Sequence, residues 1–417
     1  MDSSPYSFPP RPLPILLLLL LLPGCESNDH PLEPVSGSGA EISIDFEGAS
    51  LESWSEVATG VFNLRIRKDS NSDFARWYSF RVKGAQGQAL SFRIMNAGSV
   101  SAADAFYFNQ PAVSADDGES WGRIADSDYS VGVFSFGHTM ESQEEWIALG
   151  PVYNVSRWQG LVDQIQDHPM VTSVEIIAKS LQGRPLHLVA ITDPSVPSSE
   201  KSGIWAIARQ HPGEVGGSWM AEGLLQWLLS EDAEARALLK KTTFYLVPLM
   251  NPDGVALGNY RVNSAGANLN REWDHPDPDV APTVAAVADR IQTFVSSGRS
   301  FDFFVDFHAY SSLRKNFFYY SGRDRAPAAH VQEMEALMAR FQEINGDFTR
   351  DLSSPSSDGK ALARGWVFET FGTRAVTFEC SYQDVTYGPH AGEYMTVQRY
   401  KALGADLGKA LAREFFD

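Results

Sequence analysis

Cysteine is almost absent from this chain of 417 residues: there are two, Cys25 and Cys380. They stand in regions of very different character, so no disulfide is expected. Positive charge is also scarce. Against 52 Asp and Glu there are 34 Lys and Arg, a formal net charge of −18. That balance argues against nucleic acid as a partner. It would repel acidic ligands unless a basic pocket overrides it locally. The apolar block at residues 15–22 falls far short of the ~20 residues that a membrane-spanning helix needs. Yet 43% of residues are apolar and 21% charged, which is a globular and not a disordered composition. The length exceeds one ordinary core, so two domains are expected.

The block at 15–22 follows Arg11 and several prolines and fits the apolar core of a secretory signal. It ends in Leu22-Pro23-Gly24-Cys25, which resembles a bacterial lipoprotein box, where the Cys becomes the lipidated first residue. A plain signal peptide or an uncleaved anchor is the alternative. The expectation is a signal peptide over 1–25 and a flexible tether over 26–40, rich in Ser, Gly, Pro and acids. The protein would be secreted or periplasmic, lipid-anchored to a bacterial membrane through Cys25.

Residues 41–150 alternate polar and apolar side chains in short segments. Examples are Phe62-Asn63-Leu64-Arg65-Ile66-Arg67 and Leu90-Ser91-Phe92-Arg93-Ile94. With Gly-, Asp- and Asn-rich turns at close spacing, this predicts an antiparallel β-sandwich domain. No group of His, Cys or carboxylates there has an evident chemical role, and its aromatic residues read as core.

Residues 151–417 alternate strands with helices, which predicts an α/β/α catalytic domain with a mixed sheet. Helices are expected at 153–168, 218–228, 231–241, 283–297, 326–345, 360–371 and 394–415. Strands are expected at 174–178, 186–192, 203–209, 243–250, 301–307, 317–320 and 375–378. Asn251-Pro252-Asp253-Gly254 reads as the turn that ends one of these strands.

Four polar residues lie at or beyond apolar strands. His211 and Glu214 follow the strand 203–209 on a Pro-Gly turn, His308 stands just past 301–307, and Glu379 ends 375–378. Open α/β sheets place ligands at the carboxyl ends of their strands. Two imidazoles and a carboxylate make three zinc ligands and leave a fourth position open, the catalytic arrangement. Glu379 at the same rim is suited to take a proton from the attacking water.

In order along the chain come His211-Pro212-Gly213-Glu214, Asn251-Pro252-Asp253-Gly254, Gly258-Asn259-Tyr260-Arg261, Asn270-Arg271, Asp306-Phe307-His308 and Phe378-Glu379. This set resembles the zinc metallocarboxypeptidases, peptidase family M14. The segments Ser218-Trp219-Met220 and Trp77-Tyr78-Ser79-Phe80 are similar to the cytosolic carboxypeptidase subfamily, which trims glutamate from protein C-termini and side chains. The resemblance implies one Zn2+ per chain held by His211, Glu214 and His308. It implies Glu379 as general base and Arg261 at the scissile carbonyl. Asn270 and Arg271 would clamp the terminal carboxylate, a group that Arg can grip bidentately. Arg364, fifteen residues before Glu379, matches the position that faces the departing side chain. A cation there favours C-terminal Glu or Asp, hence acidic peptide or protein tails as partners. The bland alternative is that Arg364 is a solvated helix residue.

Some positions depart from the family pattern. Asn268 stands where an Asp usually orients the first zinc-binding His; its amide oxygen still accepts a hydrogen bond but brings no charge. His308-Ala309-Tyr310-Ser311 is closer to the digestive carboxypeptidases, and Tyr310 is counted among the substrate-binding residues. Residues 352–359 read as a flexible lid. Asp306 is equally a partner of His308 or merely a polar strand end. Two alternative functions stay open: a cell-wall muropeptide hydrolase of the same family, and a catalytically weak binding module.

Overall fold

The computed structural model describes residues 37–310, 312–323, 326–350 and 359–414. The expected signal peptide with Cys25, the tether up to residue 36 and residues 352–358 of the expected lid lie outside them. Within the stretch expected to be a tether, the Ser38 amide donates to Glu56 Oε1 at 2.8 Å.

Ten short strands come first. They are β1 (Glu41–Ser43), β2 (Ser53–Ala58), β3 (Val61–Arg65), β4 (Ser79–Lys83), β5 (Ala89–Ile94), β6 (Ala112–Ser114), β7 (Gly122–Arg123), β8 (Ser127–Ser130), β9 (Val133–Thr139) and β10 (Glu144–Ala148). They form two five-stranded sheets, ordered β1-β4-β10-β6-β7 and β2-β3-β5-β9-β8. Alternation is plain in β5, where Leu90, Phe92 and Ile94 are buried and the residues between them are not. Phe80 of one sheet meets Phe92 of the other, ring centroids 5.6 Å apart, in a shared core. The pairings are antiparallel except that β3 and β5 run parallel, so the expected antiparallel sandwich contains one parallel pair.

The rest is α1 (Val155–Ile165), β11 (Val171–Lys179), β12 (Pro185–Ile191), β13 (Ser202–Ala208), α2 (Val215–Leu228), α3 (Ala233–Lys241), β14 (Thr242–Val247), α4 (Pro252–Ala256), α5 (Pro282–Ser296), β15 (Phe301–Tyr310), β16 (Phe317–Tyr320), α6 (Ala328–Ile344), α7 (Ala363–Phe371), β17 (Arg374–Ser381) and α8 (Val397–Glu414). The seven strands form one mixed sheet, ordered β11-β12-β14-β13-β15-β17-β16. Its centre, β14-β13-β15-β17, is parallel, and its flanks are antiparallel.

Burial on both faces explains the unbroken apolar runs of the central strands. On β13, Ile204, Ala206 and Ala208 pack with Leu224 of α2 and Leu407 of α8, while Trp205 and Ile207 pack oppositely with Val287 and Ile291 of α5. Each large side chain so buried contributes roughly 1.5–3 kcal/mol. Helices α2 and α8 cross backbone to backbone. A Cβ at Gly404 would overlap the Met220 carbonyl, so the contact requires glycine.

Strand β14 lies on one side of β13 and β15 on the other. The chain therefore reverses its direction of progress across the sheet between β13 and β15. A crevice opens at the carboxyl ends of such a pair. Two expectations are corrected here. His308 and Glu379 do not lie beyond their strands; each sits inside one, β15 and β17, and the sheet goes on pairing past them. Asn251-Pro252-Asp253-Gly254 is not a simple turn. Asn251 caps α4, its Oδ1 accepting from the Gly254 amide at 2.9 Å, and Pro252 opens the helix.

Candidate active site

The turn after β13 is tightly built. Arg209 adopts a left-handed conformation, φ 64°, unusual for a residue with a Cβ. Its buried guanidinium holds the turn, Nε donating to the Pro212 carbonyl at 2.7 Å and Nη1 to the Tyr153 carbonyl at 3.0 Å. His211 and Glu214 follow. His211 Nδ1 lies 2.7 Å from Glu214 Oε1, and His308 Nδ1 lies 2.7 Å from Glu214 Oε2. The outer nitrogens are held from behind: His211 Nε2 donates to Asn268 Oδ1 at 3.0 Å and His308 Nε2 to Asp306 Oδ2 at 2.8 Å. Such bonds fix the tautomer and point Nδ1 inward. Asp306 is thus the acceptor for His308. It is itself held by Gln210, whose Nε2 donates to Asp306 Oδ2 at 2.6 Å.

Among the described residues, His211, Glu214 and His308 are the one group whose ligand atoms lie close enough, within 4.8 Å of one another, to share a metal ion. All three are buried. Two inward imidazole nitrogens and a carboxylate are a zinc donor set. The electrostatics favour a cation at this point. Burial would raise the Glu214 carboxyl, but the two imidazoles outweigh it and hold it well below the usual range. Burial would lower His308, but Asp306 and Glu214 outweigh it and raise its pKa well above the ordinary value. His211 is pushed down to about 4, chiefly by burial.

Glu379 is buried beside this group. Its pKa is pushed up to about 8, first by burial and then by Glu214 and Asp306, against the pull of His308 and Arg364. Its Oε2 has no hydrogen-bond partner among the described residues. A carboxyl raised toward neutrality, with one oxygen unpaired, is poised to exchange a proton.

All nine candidate residues line one cavity of about 430 Å3: His211, Glu214, Arg261, Asn270, Arg271, His308, Tyr310, Arg364 and Glu379. Arg261 Nη1 is 3.9 Å from Glu214 Oε1. Asn270 Oδ1 accepts from the Ala363 amide at 3.0 Å, tying the start of α7 to the site. Tyr310 is exposed at the rim. Arg364 is not a solvated helix residue. It is 5% exposed, and its Nη1 donates to Thr377 Oγ1 at 3.0 Å. The sequence pattern did not point to Tyr319, Leu362 and Thr377, which line the same cavity. Thr377 was findable, since it lies two residues before Glu379 on one strand and so shares its face. A larger cavity, about 650 Å3, includes Arg81, Arg157, Glu222 and Lys401. Its cations are paired with carboxylates, Arg157 with Glu222 at 3.2 Å and Lys401 with Glu222 at 2.7 Å.

A metal-binding group at the switch point of an α/β sheet, with a raised carboxyl beside it, defines a metal-dependent hydrolase. Known proteins narrow the class. Residues 159–391 match the profile of the zinc carboxypeptidases, and residues 42–149 match that of the cytosolic carboxypeptidase N-terminal domain. Mouse (Mus musculus) cytosolic carboxypeptidase 6 is 31% identical over 396 residues, covering 89% of this chain and 72% of its own length. The crystal structure of a metallo-carboxypeptidase from Burkholderia cenocepacia superposes with a TM-score of 0.84 at 29% identity, over 91% of this chain and all of the other. A Pseudomonas aeruginosa metallo-carboxypeptidase superposes at 0.81 with 29% identity, over 90% of this chain and 99% of its own. The chain belongs to the zinc carboxypeptidase family. It is a zinc-dependent metallocarboxypeptidase.

Proposed function

We propose that this carboxypeptidase removes C-terminal Glu or Asp from acidic peptide or protein tails. The observation that carries the reading is Arg364, a buried guanidinium in the same cavity as the metal group. A cation held there by Thr377 pairs with an acidic side chain and offsets, locally, the net charge of −18.

His211, Glu214 and His308 hold the zinc in this reading. Zinc bound there supplies Lewis acidity, polarising a carbonyl and making water a stronger acid. Glu379 accepts the proton of the attacking water on the carboxylate and returns it to the leaving amine. Arg261, beside Glu214, faces the charge that develops on the carbonyl oxygen. Arg271 and Asn270 hold the terminal carboxylate, and Tyr310 binds the substrate from the rim of the cavity. A division near residue 150 into a β-sandwich domain and a catalytic domain belongs to the same proposal, supported by the two profile matches on either side of it.

Peptides differing only in the last residue test the preference. Faster release of Glu and Asp than of Leu or Lys is expected; equal rates contradict it. The block at 15–22 and Cys25 support export and lipid anchoring to a bacterial membrane. Fatty-acid labelling of the wild type but not of Cys25→Ser is the expected result, and equal labelling contradicts it.

A further inference from the structure

The loop at residues 67–74 between β3 and β4 reaches from the β-sandwich onto the segment that carries Arg261. Asp69 is 6% exposed. Its carboxylate accepts from three consecutive backbone amides: Tyr260 at 2.6 Å, Arg261 at 2.7 Å and Val262 at 3.3 Å. The same loop grips the flanks of that segment. Arg67 Nη2 donates to the Leu257 carbonyl at 2.7 Å, the Ser70 amide to Asn259 Oδ1 at 3.1 Å, and Asn71 Nδ2 to the Ser264 carbonyl at 2.9 Å.

Asp69 and Phe74 are bound to each other, the Asp69 amide donating to the Phe74 carbonyl at 2.7 Å. That closure sets the Phe74 ring against Arg261, whose guanidinium carbon lies 5.5 Å from the ring centroid. On its other side the segment is joined to the metal turn. The Gly213 amide donates to the Tyr260 carbonyl at 2.8 Å. A Cβ at Gly213 would meet the Tyr260 ring at 2.7 Å, which only glycine avoids. The Arg261 segment is thus held between the β-sandwich loop and the turn bearing His211 and Glu214.

We infer that Asp69 and Phe74 are positioning residues for Arg261, Asp69 fixing its backbone and Phe74 holding its guanidinium toward the reacting carbonyl. The inference rests on the reading that Arg261 stabilises charge developing there. A donor aimed before the reaction contributes most, because it costs no reorganisation in the transition state. A buried carboxylate spent on three amides of one segment fixes that segment, and a ring face under a guanidinium restricts an otherwise flexible side chain.

Kinetics on the zinc-loaded full-length protein test it. Phe74 is 38% exposed, so its removal leaves no core cavity. Phe74→Ala is expected to lower kcat about two- to fivefold, the size of an exposed cation–π contact, with KM and zinc content unchanged. Phe74→Tyr is expected to restore the rate. Asp69→Asn, which turns an amide NH2 toward backbone N–H groups, is expected to lower kcat about tenfold or more. In an Arg261→Ala background, Phe74→Ala is expected to have no further effect. An unchanged kcat in Phe74→Ala, or an equal loss in both backgrounds, overturns the inference. Wild-type kcat in Arg261→Ala alone would instead overturn the role given to Arg261.

Discussion

His308 and Glu379 are register partners across the parallel pair β15–β17. The imidazole that faces the metal position and the buried carboxyl beside it therefore stand on one rung of the sheet. Two residues earlier on each strand, the same face carries Asp306 and its own register partner Thr377. The sheet thus delivers four polar side chains to one crevice: an imidazole, its acceptor, a proton-exchanging carboxyl and the hydroxyl that receives Arg364.

Burial of Glu379 has a pH signature. Its folded value, about 8, lies above its ordinary value of 4.5. The native state keeps this proton where the unfolded chain has lost it, so the group lowers stability as pH rises from 4.5 to about 8. For metal-stripped protein, the Tm of Glu379→Gln minus that of the wild type should grow across this window. A difference that stays flat with pH contradicts the burial effect.

Arg364→Leu separates substrates. Leaving an acidic side chain unpaired in the cavity should cut kcat/KM for Glu-ended peptides about 30-fold or more. Leu-ended peptides should change by no more than about threefold. Equal losses on both would sink the pocket assignment.

Asn268 orients His211 through a neutral acceptor. Asn268→Ala should weaken zinc binding about ten- to a hundredfold, the usual size of such effects. Asn268→Asp, which adds charge at the same point, should tighten it. Competition with a metallochromic chelator reads both, and unchanged affinity in both variants contradicts the orienting role.

The layers were legible because their cause is local. Continuous apolar runs at β13, β14 and β15 follow from burial on two faces, and alternation in β5 from burial on one. Strand ends were less legible. A His or Glu after an apolar run reads as a terminus, yet β15 and β17 continue through His308 and Glu379, whose side chains turn into a polar crevice. Arg364 looked ambiguous because charge on a helix is ordinarily solvated; its burial depends on the packing of α7 against β17, which no local pattern encodes. Tyr319 and Leu362 reach the cavity only through tertiary packing.

The central claim is that the chain is a zinc carboxypeptidase whose proton transfers run through Glu379. It is tested most directly by release of C-terminal residues from a Glu-ended peptide by zinc-loaded wild type and zinc-loaded Glu379→Gln. Wild-type release should stop with a chelator and return with zinc. Glu379→Gln should bind zinc stoichiometrically yet turn over about 10²- to 10⁴-fold more slowly. No release by the zinc-loaded wild type, or full activity in Glu379→Gln, would contradict it.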